Sequence, residues 1–515
     1  MFRIIGAIIG FFVGLFRRNS QRNNTNRRLD DISHQNDQRK NVISYRSCPV
    51  EAFVPRGRND NIVASGANNE IRNRVSCAAA WNCHQSGRGA VILHCGNYSL
   101  SELVSNAFTN TSGFYSVGSH NPIYDPFVEL NRNELAQMIL SASGNEYKIE
   151  RSGNSYIYGL ADYLQLIGRP ICVETLYNCI IDRSYENILE QAEAGRLSDF
   201  IARRINSEFA QGQMELGNIE QFFSVLKQQG YSVLADESSA RRAISIKKAL
   251  RQNEVIMIDL GSTANTLLLN VIVQEIRDSI SNGLEFSLIL DSVPLDTSES
   301  LSQLLRNFSG RCNYVYSSSD VYADTQSTAN VFETLIGRAS TVFVLQHYSS
   351  ASSRRFSEFF GQYQKIEVNQ TFTSGDNYIT FGQILPGSSS GNVYATQHIT
   401  KPRVEEDEIM SQNHDHMFIK VGGNSEIISV SCTAGNARGN YSTPQRAIIQ
   451  PTEGRRHNRI NWLIFALLLI FCFPAAFIYS FFKSGRVGKI ISAVLFVLSC
   501  IYLIALLIAT QTYGY

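Results

Sequence analysis

The sequence carries almost no net charge and shows no regular spacing of cysteines. Its 515 residues contain 46 Lys and Arg against 45 Asp and Glu, a formal net charge of +1. This balance excludes a global electrostatic argument for nucleic-acid binding. The 10 cysteines form no small disulfide-rich framework, so we expect free thiols in a reducing compartment. The length exceeds one compact core and predicts two or three units.

Long uncharged runs occur only near the C-terminus. Residues 461–482 and 490–509 are apolar and uncharged, and each is long enough to cross roughly 30 Å of hydrocarbon. The loop between them is too short to fold, so residues 459–515 are predicted to form a transmembrane helical hairpin in a lipid bilayer. A polar linker over residues 433–458 precedes it. The alternative for the two runs is a pair of buried core helices.

A shorter apolar segment opens the chain. Ile4–Phe16 carries three glycines at a spacing of four, which places small residues on one helix face and permits close packing in a bilayer. Residues 1–16 therefore predict a short membrane anchor or re-entrant segment, with a helix lying on the membrane surface as the alternative. Residues 17–45 are polar and basic and predict a linker, disordered over Asn19–Lys40.

The body of the chain alternates short β-rich runs with helical stretches. This alternation predicts an α/β fold with a doubly wound, mostly parallel sheet. We place its first part at 46–159, an inserted all-α subdomain at 160–252 and its second part at 253–432. The predicted strands are Asn61–Ala64, Ala90–Cys95, Val255–Leu260, Phe286–Leu290, Tyr314–Tyr316, Thr341–Leu345 and Met417–Val421.

One predicted strand ends on a single carboxylate. The run Phe286–Leu290 stops at Asp291, and Ser292 follows. In P-loop ATPases an acidic residue at the end of such a strand holds the Mg²⁺ that bridges the phosphates. An adjacent glutamate can activate the attacking water as a general base, but Ser292 has no useful basicity. Asp291 is therefore a Mg²⁺ ligand of the Walker B kind only if the chain is active.

The turn after the first predicted strand lacks the residues of a phosphate-binding loop. A P-loop follows the pattern GxxxxGK[ST], with a lysine at the β and γ phosphates. Here Gly66 is the only glycine, no lysine is present, and Asn69 or Glu70 falls near its position. Arg72 and Arg74 are expected to point out of the phosphate nest. The residues assigned to this degenerate nucleotide site are Gly66, Asn68, Asn69 and Ile71.

No metal site is predicted. The pairs Cys83-His84 and His94-Cys95 could supply a Cys₂His₂ set if they met. The alternative, which we prefer, is that Cys95 is a small apolar residue at a buried strand end.

Four segments in order resemble the type IV secretion coupling proteins, the TraD and TraG-like ATPases of conjugation. Gly87–Gly96 is similar to the family's strand after the P-loop helix, although only its final glycine is kept. His120–Ser141 is similar to the family's Asn-Pro turn and following helix, and the inserted helices stand where the family has its all-α domain. Asp291-Ser-Val-Pro and, later, Ile399–Met410 complete a resemblance that spans about Cys48–Cys432.

The resemblance implies a P-loop NTPase fold of the RecA/FtsK type, with ATP and Mg²⁺ as cofactors only if the divergent site is active. The family's P-loop lysine and adjacent glutamate are missing, and Ser317-Ser-Ser-Asp replaces its γ-phosphate-sensing Thr-Gln. Because these groups act together in phosphoryl transfer, no efficient hydrolysis is expected.

Three functions remain open from the sequence. The first is a membrane-anchored, nucleotide-degenerate relative that acts as an assembly or regulatory component of a conjugative transfer or type IV secretion apparatus. The second is an active, divergent ATP-driven DNA translocase, and the third is a membrane scaffold unrelated to DNA transfer. The first implies a multi-pass protein of the inner membrane with its α/β domain in the cytoplasm. Its expected partners are secretion-machinery proteins and further copies of itself, with DNA left open. The C-terminal position of the hairpin departs from the family, whose spans usually precede the P-loop.

Overall fold

The structure is a computed structural model of the chain. It describes residues 29–439, apart from residues 46, 58–59, 196–197, 262–265, 296–298, 309–311, 327–329, 377–387, 423–425 and 437. The predicted N-terminal segment 1–16 and the predicted spans 461–482 and 490–509 lie outside the described residues. Within the described part, no helix is both long enough and apolar enough to cross a membrane.

Eleven strands of the described chain form one sheet, and two more form a separate hairpin. The strands are β1 (Val42–Ser44), β2 (Cys48–Pro49), β3 (Ile62–Ser65), β4 (Gly89–His94), β5 (Phe114–Val117), β6 (Val255–Asp259), β7 (Phe286–Asp291), β8 (Asn313–Ser318), β9 (Thr341–Val344), β10 (Gln362–Asp376), β11 (Ser388–Pro402), β12 (His416–Val421) and β13 (Ile427–Thr433).

The centre of the sheet is parallel. Strands β5, β6, β4, β7, β8, β3 and β9 lie side by side in that order. Strand β12 is antiparallel to both β9 and β13, and β1 and β2 pair in parallel with β13. Strands β3, β4, β7, β8 and β9 are buried along their whole length, which explains their nearly continuous apolar sequences. The mostly parallel α/β sheet expected from the sequence is therefore confirmed.

Helices cover the sheet and fill the long connection between β5 and β6. They are α1 (residues 29–40), α2 (Asn69–Gln85), α3 (Tyr98–Phe108), α4 (Arg132–Tyr147), α5 (Gly153–Leu166), α6 (Val173–Asp182), α7 (Ile188–Glu193), α8 (Asp199–Gly212), α9 (Leu216–Gln229), α10 (Ile246–Arg251), α11 (Thr266–Ser281), α12 (Glu299–Arg306), α13 (Val331–Arg338), α14 (Ser350–Phe360) and α15 (Glu406–Met410).

The inserted helices run from α4 to α10, and their apolar residues share one buried cluster with a face of the sheet. Leu160, Phe222 and Phe223 are fully buried there. The helical stretch begins at Arg132, so residue 160, where we placed the start of the insertion, lies inside α5. The domain boundaries stay proposals.

The disordered tether expected over Asn19–Lys40 is wrong for its described part. Residues 29–40 form α1, and β1 follows at Val42. The helix is fixed by contacts that lie far away in the sequence. The Asn36 side chain bonds to both the N–H and the carbonyl oxygen of Ile366 on β10, at 2.8 and 2.9 Å. Lys40 forms a 2.9 Å ion pair with Glu408 on α15.

Candidate functional site

The site lies at the carboxyl ends of the parallel strands, where β3 turns into α2. Only Gly66, Ala67 and Asn68 connect the two elements. Gly66 has a φ of 136°, and a Cβ there would lie 2.6 Å from the Cβ of Leu345. The turn therefore requires glycine for its backbone conformation and for its close approach to the end of β9.

Three main-chain N–H groups at this turn are already bonded inside the protein. Those of Gly66 and Ala67 donate to carbonyl oxygens at the end of β8 and just beyond β9, at 3.2 and 2.9 Å. The Ile71 N–H donates to Oδ1 of Asn68, the N-cap of α2, at 3.1 Å. A phosphate site at a helix N-terminus needs N–H groups that point at the ligand. The assigned residues Gly66, Asn68 and Ile71 thus lie together, but the N–H groups of Gly66, Ala67 and Ile71 are bonded within the protein.

The carboxylate of Asp291 faces an arginine rather than solvent. Asp291 is 0% exposed and Arg72, on the first turn of α2, is 4% exposed. The Arg72 Nη1 atom lies 3.6 Å from Oδ1 of Asp291. Burial lowers the pKa of Arg72, and the carboxylate of Asp291 opposes that shift. Arg72 thus points toward Asp291, a direction that the sequence did not predict.

Two further donors occupy the oxygens of Asp291. Ser317 Oγ donates to Oδ1 at 2.8 Å, and Asn97 Nδ2 donates to Oδ2 at 2.6 Å. Ser317 follows from the register of β7 with β8, which pairs it directly with Asp291. Mg²⁺ requires near-octahedral oxygen coordination and keeps several waters. A carboxylate bonded to a guanidinium, a hydroxyl and an amide does not fit that requirement.

A layer of side-chain amides and hydroxyls covers this pair. Asn69 Oδ1 accepts from Arg72 Nη2 at 3.1 Å. The side-chain amide of Asn73 lies 2.8 Å from Ser99 Oγ and 2.8 Å from Nδ2 of Asn97. Asn69, Asn73 and Ser99 adjoin a cavity of about 530 Å³ between α2 and α3. Asn69 stands near the position of the P-loop lysine, but its neutral side chain bonds to Arg72 and supplies no positive charge to a phosphate.

Ser292, which stands where the family has its glutamate, adopts an uncommon backbone conformation. Its φ is 55°, in the left-handed region that non-glycine residues rarely adopt. Its N–H donates to the Ser317 carbonyl oxygen at 2.8 Å. The position beside Asp291 is therefore part of the β7 to β8 connection and does not present a base to the site.

His94, at the end of β4, lies next to Asp291 on the side of β7 that faces away from β8. The register of β4 with β7 pairs the two residues. Burial lowers the pKa of His94, and Asp259 opposes the shift. Its Nδ1 accepts from the Asn97 N–H at 3.2 Å and lies 3.5 Å from Oδ1 of Asp259, and its Nε2 lies 2.9 Å from Ser101 Oγ. His94 is thus a buried residue that positions the main chain of Asn97.

Two buried polar atoms at the site have no partner among the described residues. They are Nε of Arg72 and Nε2 of His347, and His347 is 2% exposed. Burial lowers the pKa of His347, and Arg72 lowers it further. Buried polar atoms of this kind ordinarily hold an ordered water.

The other residues singled out by sequence lie elsewhere. Arg74 bonds to Glu70 and Glu51, at 3.0 and 3.3 Å, and takes no part in the site. The Cys83 thiol donates to the Gly89 carbonyl oxygen at 3.1 Å. Across the described ranges, no three His, Cys, Asp or Glu side chains are grouped closely enough to hold a metal ion.

Sequence reasoning missed the partners of Asp291. Asn97 lies 194 positions away in the chain, in the turn before α3, and no motif marks it. Its one local signal is that asparagine is a favoured helix N-cap, a role it also fills by accepting the Leu100 N–H.

Solved structures similar to this chain include those of two proteins, TrwB and VirB4. The unbound monoclinic form of the bacterial conjugative coupling protein TrwBdeltaN70 is 16% identical, covers 76% of this chain and 88% of its own, and gives a TM-score of 0.46. The plasmid coupling protein TrwB with the non-hydrolysable ATP analogue ADPNP is 14% identical; the match covers 82% of this chain and 94% of that chain, with a TM-score of 0.44. VirB4 of Thermoanaerobacter pseudethanolicus is 10% identical; the match covers 76% of this chain and 96% of that chain, with a TM-score of 0.41.

The first two structures are of a coupling protein. No family model matches the chain, and no curated protein matches it.

Proposed function

We propose that this chain is a nucleotide-degenerate, coupling-protein-like component of a conjugative transfer or type IV secretion apparatus, with an assembly or regulatory role. One observation carries the degeneracy: the buried carboxylate of Asp291 is filled by Arg72, Ser317 and Asn97. The order of the sequence segments that resemble coupling proteins supports a role in conjugative transfer or secretion. The contacts of Asp291 support the proposal that the chain does not act as an ATP-driven motor.

Binding of Mg²⁺ and nucleotide would have to break this arrangement. Removing one partner from a buried ion pair costs about 3–5 kcal/mol, because the remaining charge loses its compensation. The metal would also compete with two hydrogen bonds to the same carboxylate, each worth about 1.5–3 kcal/mol when the acceptor is charged. The turn after β3 offers the phosphates few free N–H groups in return. Nucleotide binding is therefore disfavoured both at Asp291, where the metal would bind, and at the turn after β3, where the phosphates would bind.

The active-translocase alternative predicts a different phenotype. An ATP-driven pump needs its metal-binding carboxylate, whereas an assembly component needs only a folded body. Asp291→Asn keeps the size of the side chain and an acceptor for Ser317. Because Asp291→Asn alone leaves the charge of Arg72 buried and uncompensated, the test in cells uses the double variant Arg72→Met, Asp291→Asn, which we expect to transfer DNA at the wild-type level, with deletion of the chain abolishing transfer.

Purified full-length protein should show no ATP turnover above background, with or without DNA. The matched control is Asp407→Asn, an exposed residue in α15. Turnover that Asp291→Asn abolishes and Asp407→Asn preserves would establish the translocase alternative. Neighbouring genes that encode no conjugation machinery would favour the unrelated scaffold.

Membrane attachment is part of the proposal. The terminal hairpin begins and ends inside the cell, the α/β body lies in the cytoplasm at the inner membrane, and copies of the chain associate there. A membrane-impermeant thiol reagent should label Ser484→Cys in intact cells and leave the half-buried Cys48 and Cys95 unlabelled until the cells are lysed. Labelling of Cys48 or Cys95 in intact cells would reverse the proposed orientation.

A further inference from the structure

Two cysteines face each other across a pair of parallel strands. The register of β2 with β13 places Cys48 directly opposite Cys432. Neighbouring strands lie about 4.8 Å apart, and disulfides form where Cα atoms are roughly 4.4–6.8 Å apart. The backbone spacing therefore suits a bond between these two residues without movement of either strand.

Both thiols point to the same side of the sheet. Cys432 belongs to the apolar cluster on one face of the sheet, and Cys48 packs against that same cluster. Cys432 is 9% exposed, whereas Cys48 is only half-buried. A reagent in solution can therefore reach Cys48 first, and the buried Cys432 lies next to it on the neighbouring strand.

The remaining described cysteines are placed differently. No other two of them stand opposite each other in the described strand pairs. The thiols of Cys83 and Cys312 donate to carbonyl oxygens at 3.1 and 3.2 Å. The juxtaposition at β2 and β13 is thus distinctive within the described body.

We propose that Cys48 and Cys432 are a modification site that forms a reversible disulfide, closing a clasp between the first and last parts of the folded body. The co-reactant is a small-molecule disulfide such as oxidised glutathione. The Cys48 thiolate attacks one of its sulfurs, which forms a mixed disulfide and releases one molecule of thiol. The Cys432 sulfur then attacks the Cys48 sulfur, the protein disulfide forms, and the second thiol leaves with the proton of Cys432. Two protein thiols are oxidised and one external disulfide is reduced.

The order of the two steps follows from the surroundings of each thiol. Burial raises the pKa of Cys432 to about 12, and burial also raises the pKa of the more accessible Cys48. Few thiolates are present at neutral pH, so the clasp closes slowly and responds to sustained oxidation. In a reducing compartment both cysteines remain thiols, as the sequence predicts.

Closing the clasp links residues that are far apart in the sequence. The bond restricts the unfolded chain over nearly the whole length of the body. The oxidised protein should therefore resist thermal unfolding better than the reduced protein. The link also holds β2 to β13 at the point where the described body approaches its C-terminal end.

The test treats full-length protein with oxidised glutathione at pH 8 and compares it with protein kept in reductant. Thiols are counted after denaturation, and peptides are mapped by mass spectrometry without reduction. We expect two thiols to be lost, a peptide linking Cys48 to Cys432, a higher melting temperature, and full reversal by dithiothreitol. Cys48→Ser and Cys432→Ser should each abolish the linked peptide, and Cys172→Ser, a buried control on another element, should retain it.

Three outcomes would overturn the proposal. One is an unchanged thiol count. Another is a mixed disulfide with glutathione at Cys48 that never resolves. The third is a linked peptide that joins other cysteines or two protein molecules. Because the wild-type peptide map decides the matter alone, a variant that fails to fold does not weaken the test.

Discussion

Removing Arg72 should expose how the buried carboxylate of Asp291 is stabilised. Arg72→Met keeps much of the length and apolar surface of the side chain but removes its charge. Asp291 would then lie at 0% exposure with only Ser317 and Asn97 as donors. An uncompensated buried charge costs about 3–5 kcal/mol, so the free energy of unfolding should fall by about that amount.

The double variant Arg72→Met, Asp291→Asn separates the pair from its surroundings. Because neither charge remains, we expect it to recover about half of the lost stability or more, and a double-mutant cycle should give a coupling of about 2 kcal/mol or more. Urea denaturation followed by circular dichroism measures each step. The control is Arg203→Met, which breaks an exposed pair with Asp199 and should cost about 0.5 kcal/mol or less. A loss below about 1 kcal/mol for Arg72→Met, or no coupling in the cycle, would refute this account of the site.

Three further predictions concern other parts of the body. Burial raises the pKa of Glu275 to about 8. The stability that this group contributes is therefore complete at pH values below the ordinary pKa of a glutamate and is lost as the pH rises through about 8. Glu275→Gln should remove this loss, roughly 3–5 kcal/mol between pH 5 and 9, as judged from urea midpoints; an unchanged pH dependence would contradict it. Gly66→Ala should destabilise the protein by about 2 kcal/mol because of its positive φ and its contact with Leu345, and Gly217→Ala, which meets no atoms, should be nearly neutral in the same assay. Asn36→Ala should increase hydrogen exchange at the Ile366 amide, which loses its acceptor, whereas the exposed His34→Ala on the same helix should not; equal protection in both variants would argue against the contact.

The sheet was predictable because buried parallel strands have a distinctive sequence. The run that ends at Asp291 and the run that ends at His94 are continuous apolar stretches, and both are strands in the structure. The hairpin of β10 and β11 was not predicted, because its strands are polar and alternate only weakly. Strand β5 was missed because its few residues carry little periodicity.

The chemistry of the site was only partly predictable. The missing lysine and the serine after Asp291 are local facts, and the sequence reveals them directly. The direction of Arg72 is not local, because it depends on a carboxylate supplied by another strand. Asn97 depends on the same long-range arrangement. Sequence reasoning therefore identified what the site lacks, and the structure identified what fills it.

Equilibrium binding of Mg·ATP to the full-length protein tests the central claim most directly. Isothermal titration calorimetry with wild-type protein, with Arg72→Met and with Asp291→Asn distinguishes an occupied site from an empty one. The account predicts no binding heat at millimolar nucleotide for the wild-type protein. Magnesium-dependent binding by the wild-type protein that Asp291→Asn abolishes would contradict it.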